Sequence, residues 1–139
     1  MSRVQLALNV GDLHEAVTFY EKLFRVPPSK LRDGYANFAI EDPPLKLVLF
    51  EDPLRAGSLN HLGVEVATSD DVTSASGHLE AVGLTTEQER GVACCYAVQD
   101  KVWVSGADTR WEVYTVLADA PGAGSCECGC SDTGPCCPA

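Results

Sequence analysis

Cys94 and Cys95 stand side by side in a chain that holds no cysteine before them, and five more, Cys126, Cys128, Cys130, Cys136 and Cys137, crowd its end. Seven cysteines in 139 residues is a high count. In a secreted domain it would read as a disulfide framework. The opening MSRVQLALNVGDLHEA has too short an apolar run for a signal peptide and soon reaches Asp12, so the expected location is the cytoplasm, with thiols kept reduced for metal binding or chemistry. A second group of chemistry-bearing side chains is spread along the chain: Gln5, His61 and Glu112. One imidazole, one carboxylate and one amide oxygen make an oxygen-rich facial set with open coordination positions, related to the two-histidine, one-carboxylate set of non-heme iron(II) oxygenases. Iron(II) is the first choice, while zinc, manganese or nickel would accept the same donors.

Three residues so far apart need a fold that gathers them, and an internal repeat supplies one. VQLALNV at 4–10 alternates like a strand, and Asp12 with Glu15 three places on reads as a helix start. Ala16, Phe19, Tyr20, Leu23 and Phe24 recur at helical spacing until Pro27-Pro28, and strands are expected over about 35–40 and 46–51. The same order returns with NHLGVEV at 60–66, a cap-like start over Thr68–Asp71, a helix running to about Val82, and strands near 93–98, 101–105 and 110–117. Gln5 and His61 then occupy equivalent strand positions 61 − 5 = 56 residues apart, whereas Lys46 and Glu112 are 112 − 46 = 66 apart. About ten extra residues therefore lie in the second copy, in the stretch that carries Cys94 and Cys95, and a loop there is expected. Ordinary occupants of such strand positions are a structural histidine and a surface glutamine. The repeat gives a geometric reason for these two to converge with Glu112 on a cavity instead. His14 and His78 fall in the helices and are expected to be solvated.

The bulk composition narrows the partners. Hydrophobic residues make up 45% and charged residues 22%, an ordinary globular balance. A net charge of −10 sets a repulsive field before nucleic acid and anionic lipid, and no stretch reaches the length of a membrane span. The expected organisation is α+β: a single domain over residues 1–117 made of two βαβββ modules, about 1–53 and 58–117, then a disordered Cys-rich tail over 118–139.

The segments VQLALNVGDLHEAVTFYEKLF, NHLGVEV and WEVYTVL resemble the vicinal oxygen chelate superfamily, the fold of glyoxalases and extradiol dioxygenases, over roughly residues 3–117. The resemblance implies a cup of paired modules around a divalent metal held from the first and last strands, positions that match Gln5, His61 and Glu112. The fourth position used by glyoxalases falls near Lys46, which disfavours that activity. With the Cys94-Cys95 pair and the Cys-rich tail, the chain looks like the organoarsenical carbon–arsenic lyases and their cadmium-induced relatives. That likeness implies Fe(II)- and dioxygen-dependent cleavage of methylated or aromatic trivalent arsenicals with release of arsenite. Alternatives are a thiol-based cadmium- or arsenic-binding protein without catalysis, or another iron dioxygenase of this fold. Cys94 and Cys95 would chelate arsenic, from a loop or bulge because neighbouring side chains diverge in a regular strand. Tyr96, Trp103 and Tyr114 would line the substrate pocket or serve as plain core. The tail would gather arsenicals without taking part in the chemistry. Whether the cup closes within a monomer or across a homodimer is left open.

Overall fold

In the computed structural model, residues 2–120 are described. The elements run β1 (Arg3–Val10), α1 (Leu13–Phe24), β2 (Lys30–Arg32), β3 (Tyr35–Ile40), β4 (Leu45–Glu51), a short 3-10 turn (Pro53–Arg55), β5 (Leu59–Glu65), α2 (Ser69–Ala81), β6 (Thr86–Cys94), β7 (Ala97–Gly106) and β8 (Thr109–Asp119). All eight strands form one mixed sheet in the order β2-β3-β4-β1-β5-β8-β7-β6. Each half is a βαβββ module whose first strand pairs in parallel with its last, β1 with β4 and β5 with β8. The halves meet where β1 lies antiparallel to β5.

Register at this seam confirms the repeat. Gln5 pairs with Gly63 and Ala7 with His61, the reciprocal pattern expected if positions 56 apart are equivalent. It also refines the outer pairings. Ala7 lies beside Val48 and its counterpart Gly63 beside Glu112, so Val48 rather than Lys46 is the counterpart of Glu112. Lys46 is instead opposite Gln5.

Strand alternation divides the sheet into two faces. On β1, Gln5, Ala7 and Asn9 are buried on one side. Leu6, Leu8 and Val10 join Leu13 and Val17 of α1 and Ala36, Phe38, Leu47 and Leu49 on the other. Asp12 caps α1 by accepting from the Glu15 amide, and Arg25 ends it in the left-handed conformation. Phe19 and Leu23, expected on the inner stripe, are exposed instead, because Leu13 and Val17 set the buried line. Thr68 and Asp71 form the complete capping box of α2, whose end at Ala81 agrees with the sequence reading.

The extra residues of the second half do not form a loop. They lengthen a hairpin: β6 and β7 pair from Thr86–Val104 to Cys94–Ala97, with a bulge between Glu89 and Val92 at Gly91, φ 62°. The last strand runs to Asp119, past the expected boundary at 117. The Cys-rich tail, apart from its first residues, lies outside the described residues. Among the described residues no helix is long and apolar enough to cross a membrane.

Candidate functional site

Gln5 comes from β1, His61 from β5 and Glu112 from β8, all on the face away from α1 and all nearly closed to solvent. Gln5 Nε2 lies 3.1 Å from His61 Nε2 and donates to Glu112 Oε1 at 2.8 Å, and His61 Nε2 is 3.4 Å from the same oxygen. Donors on one face of an octahedral ion with bonds of about 2.1 Å are separated by about 3 Å, so this triangle has the size a divalent metal requires. Gln5 Oε1 accepts from the Tyr114 hydroxyl at 2.6 Å, so ligation through that oxygen requires the amide to turn over. The donor set fits a metal with this one adjustment. Among the described residues no three His, Cys, Asp or Glu side chains gather, which leaves the amide as the third donor.

Gly63 makes the convergence possible. A Cβ there would stand 3.0 Å from Glu112 Cγ and 3.3 Å from Gln5 Nε2. Any larger residue would push the two side chains apart.

Hydrogen bonds settle the histidine tautomer. The Ser58 hydroxyl donates to the Arg55 carbonyl at 2.6 Å, so its oxygen is left to accept from Asn9 Nδ2 at 2.9 Å. Asn9 Oδ1 then accepts from Asn60 Nδ2 at 3.1 Å, which turns Asn60 Oδ1 towards His61 Nδ1 at 2.7 Å. Nδ1 must therefore carry the proton and Nε2 the lone pair that faces the triangle, the state a metal ligand needs.

Glu112 is held as a carboxylate. Burial alone would raise its pKa, but the Lys101 ammonium, 2.8 Å from Oε2, overrides that and holds the group well below the usual carboxylate range. Lys101 is 2% exposed, and although burial pulls its own pKa down, the Glu112 charge raises it. The pair thus occupies one carboxylate oxygen and leaves the other, Oε1, in the triangle. Lys46 is depressed mainly by burial, and its Nζ lies 5.1 Å from the Tyr114 ring centroid.

The thiols stand at the tip of the long hairpin. Cys94 closes β6, and Cys95 and Tyr96 are the two turn residues, with φ of 52° and 63°. Two left-handed residues in a two-residue connection are the mark of a type I′ turn, usually built from Asn and Gly. The turn swings the adjacent side chains together, leaving the sulfurs 3.3 Å apart. Two bonds of about 2.3 Å, the length of a thiolate–zinc bond, span roughly this gap when they meet near a right angle. A tight turn thus supplies the convergence for which a loop or bulge was expected.

The triad and the two cysteine sulfurs share one cavity of about 60 Å³, whose wall also holds Val48, Phe50, Gln99, Lys101 and Trp103. Trp103 is the one predicted pocket aromatic in that wall. Its indole donates to Glu89 at 3.1 Å, with the Arg110 guanidinium 4.1 Å from its ring centroid. Tyr114 lies behind Gln5, and Tyr96 packs on Tyr35 with ring centroids 5.2 Å apart. His14 and His78 are exposed, as expected. Sequence reasoning missed Asn9, Asn60, Gln99 and Lys101. The last two share the inward phase of β7 with Trp103, which was a legible signal.

Residues 3–108 match the profile of the Glyoxalase/Bleomycin resistance protein/Dioxygenase superfamily. The chain is 61% identical over 126 residues to the cadmium-induced protein CadI of Mycobacterium tuberculosis (strain ATCC 25618 / H37Rv), covering 90% of this chain and 83% of that protein. It is 57% identical over 122 residues to the trivalent organoarsenical cleaving enzyme of Thermomonospora curvata, covering 86% and 81%. Among solved structures, the 2,3-dioxygenase LapB from Pseudomonas sp. KL28 matches with TM-score 0.64 and 17% identity over 86% of this chain and 43% of that one. The Mn(II)-bound glyoxalase from Novosphingobium aromaticivorans matches with TM-score 0.60 and 18% identity over 86% and 42%. These two likenesses speak to the fold alone, whereas the profile and the close relatives speak to descent. The chain belongs to the Glyoxalase/Bleomycin resistance protein/Dioxygenase superfamily.

Proposed function

We propose that the chain is an iron(II)-dependent dioxygenase that cleaves the carbon–arsenic bond of trivalent organoarsenicals, methylarsonous acid and aromatic arsenicals among them, and releases arsenite in the cytoplasm. One observation carries the reading: a single cavity is lined by both a metal-sized triangle of Gln5, His61 and Glu112 and a converging pair of cysteine sulfurs. The relative named as a trivalent organoarsenical cleaving enzyme supports it.

In this reading Cys94 and Cys95 bind the substrate. Trivalent arsenic is soft and prefers sulfur, so each thiol replaces one arsenic hydroxyl, an As–O bond giving way to an As–S bond while the thiol proton leaves with the hydroxyl as water. Arsenic keeps its carbon substituent and is fixed at the cavity wall, where positioning is the main contribution of the protein. Gln5, His61 and Glu112 would hold the metal, which when bound supplies redox chemistry with dioxygen. Lys101 keeps Glu112 ionised and aimed, and the Asn60 carbonyl keeps the His61 proton on Nδ1. Trp103 and Phe50 exclude water from one side. Cys94 is disulfide-bonded in the structure, so chelation requires the reduced protein.

The test is an assay of reduced, anaerobically iron-loaded protein with methylarsonous acid, following arsenite after air is admitted. Release over many turnovers, absent from a metal-free control, is expected. Cys94→Ser and Cys95→Ser should each lose turnover while retaining iron, and full activity in both would remove the chelating role. The cadmium-induced relative favours a second reading, stoichiometric binding of soft metals by the thiols. Tight arsenical binding without oxygen consumption would select it.

A further inference from the structure

Gln99 lies on β7 two residues before Lys101, 5% exposed, in the wall of the shared cavity. Its Nε2 donates to the Cys94 carbonyl at 3.1 Å, so the amide can face only one way: the nitrogen is committed to the hairpin and the oxygen points elsewhere. That oxygen is the one buried side-chain polar atom without a hydrogen-bond partner among the described residues. Buried acceptors are almost always satisfied, and the exceptions mark a group that something else completes. Its place identifies the class of partner. The Gln99 amide is tied to the Cys94 backbone and lines the same cavity as both sulfurs, so a molecule held on those sulfurs shares that cavity with it.

The two arsenicals of the proposed reaction differ in what they offer there. When arsenite, As(OH)3, reacts with both cysteines, two As–O bonds break, two As–S bonds form and two waters leave. Arsenic stays trivalent and keeps one hydroxyl. Methylarsonous acid undergoes the same exchange and keeps its methyl group and no hydroxyl. A lone acceptor in the cavity that the sulfurs line distinguishes these adducts, because only the first carries a donor.

We infer that Gln99 Oε1 is the acceptor for the hydroxyl of cysteine-bound arsenite, so that the cavity is built to hold the inorganic species as well as the organic one. The inference rests on the chelating role given to Cys94 and Cys95 above. It makes Gln99 a specificity residue, favouring an arsenic that still bears oxygen and slowing the departure of arsenite from the site.

The test measures dissociation constants for arsenite and methylarsonous acid, anaerobically and by competition with a small dithiol. It uses the reduced full-length chain carrying Cys126→Ser, Cys128→Ser, Cys130→Ser, Cys136→Ser and Cys137→Ser, so that only the hairpin thiols report. Gln99→Met should weaken arsenite by about tenfold relative to methylarsonous acid, the size of one hydrogen bond to a buried acceptor. Gln99→Leu should shift the ratio the same way. Gln99→Glu retains an acceptor and should leave the ratio near that of the parent. Taking the ratio cancels any disturbance of the hairpin, which both ligands need equally. An unchanged ratio in Gln99→Met and Gln99→Leu, with both arsenicals still bound, overturns the role of Gln99 and leaves chelation standing. Failure of either arsenical to bind the parent chain overturns chelation itself, and the role of Gln99 with it.

Discussion

The two halves of the sheet share a topology but differ in what holds their helices down. In the first half, Leu13 and Val17 of α1 press on Ala36, Phe38, Ile40, Leu47 and Leu49, an apolar layer with fully buried aromatic and aliphatic groups. In the second, α2 buries only Val72 and Ser76. Polar links do much of the remaining tethering. Asp100 accepts from the Ser69 hydroxyl at 2.6 Å and the Gly91 amide at 2.7 Å, Gln88 donates to Ser76 at 2.7 Å, and Arg90 donates to Thr73 at 2.9 Å. The inner faces differ in the opposite sense. His61, Cys94, Cys95, Gln99, Lys101 and Glu112 all come from the second half, and Gln5 is the one triad member from the first. One half is mainly a scaffold, and the other carries the polar groups whose burial the scaffold stabilises.

If that division holds, the largest loss of stability comes from the apolar layer. Phe38→Ala removes a side chain that is 0% exposed and should destabilise by about 3–5 kcal/mol in denaturant unfolding. Val72→Ala, which removes far less from the second half, should cost less, and an equal loss would break the comparison. The two lysines of the cavity wall sharpen it from inside. Lys101→Met strands the Glu112 carboxylate and should cost the metal-free protein about 3–5 kcal/mol. Among the described residues Lys46 makes no ion pair, and Lys46→Met should change stability by under about 1 kcal/mol.

A smaller effect, about 1–3 kcal/mol, is expected for Asp100→Asn. The hydroxyl of Ser69 and then the amide of Gly91 lower the pKa of Asp100 in the folded state, so its contribution is complete above the unfolded carboxylate value of about 4 and is lost as pH falls below it. The gap between parent and variant should therefore narrow in unfolding experiments below about pH 4 and stay constant above about pH 6. A gap independent of pH would mean that the Asp100 charge does not anchor α2.

Much of this was legible where one face of a strand is buried and the other is not. Alternation placed β1 and β5, and their equivalence gave Gln5 and His61 the correct 56-residue relation. The Thr68–Asp71 signature placed α2 because a capping box is a local device read from four residues. β2 escaped notice because KLR is too short to show a period. The strand expected near 93–98 straddles the turn at Cys95 and Tyr96, and most of β6 escaped because TEQERGVAC is mostly exposed at the sheet edge and lacks apolar alternation. The counterpart of Glu112 was misplaced by two residues, Lys46 for Val48, since spacing alone cannot fix how strands slide past each other. Lys101 and Gln99 went unnoticed because a polar residue on a strand ordinarily faces water. Their burial follows from a cup that only the assembled sheet creates.

The hydrogen bond from Gln5 to Glu112 joins residues 107 apart in sequence. A ribosome delivers the first of them almost at once and the second only after β8 has been made. Folding can begin locally in the first half, but the triangle cannot close until the final strand docks beside β5. A growing chain therefore passes through most of its synthesis without an assembled triangle, and metal binding of the kind proposed above would require that translation has reached the last strand.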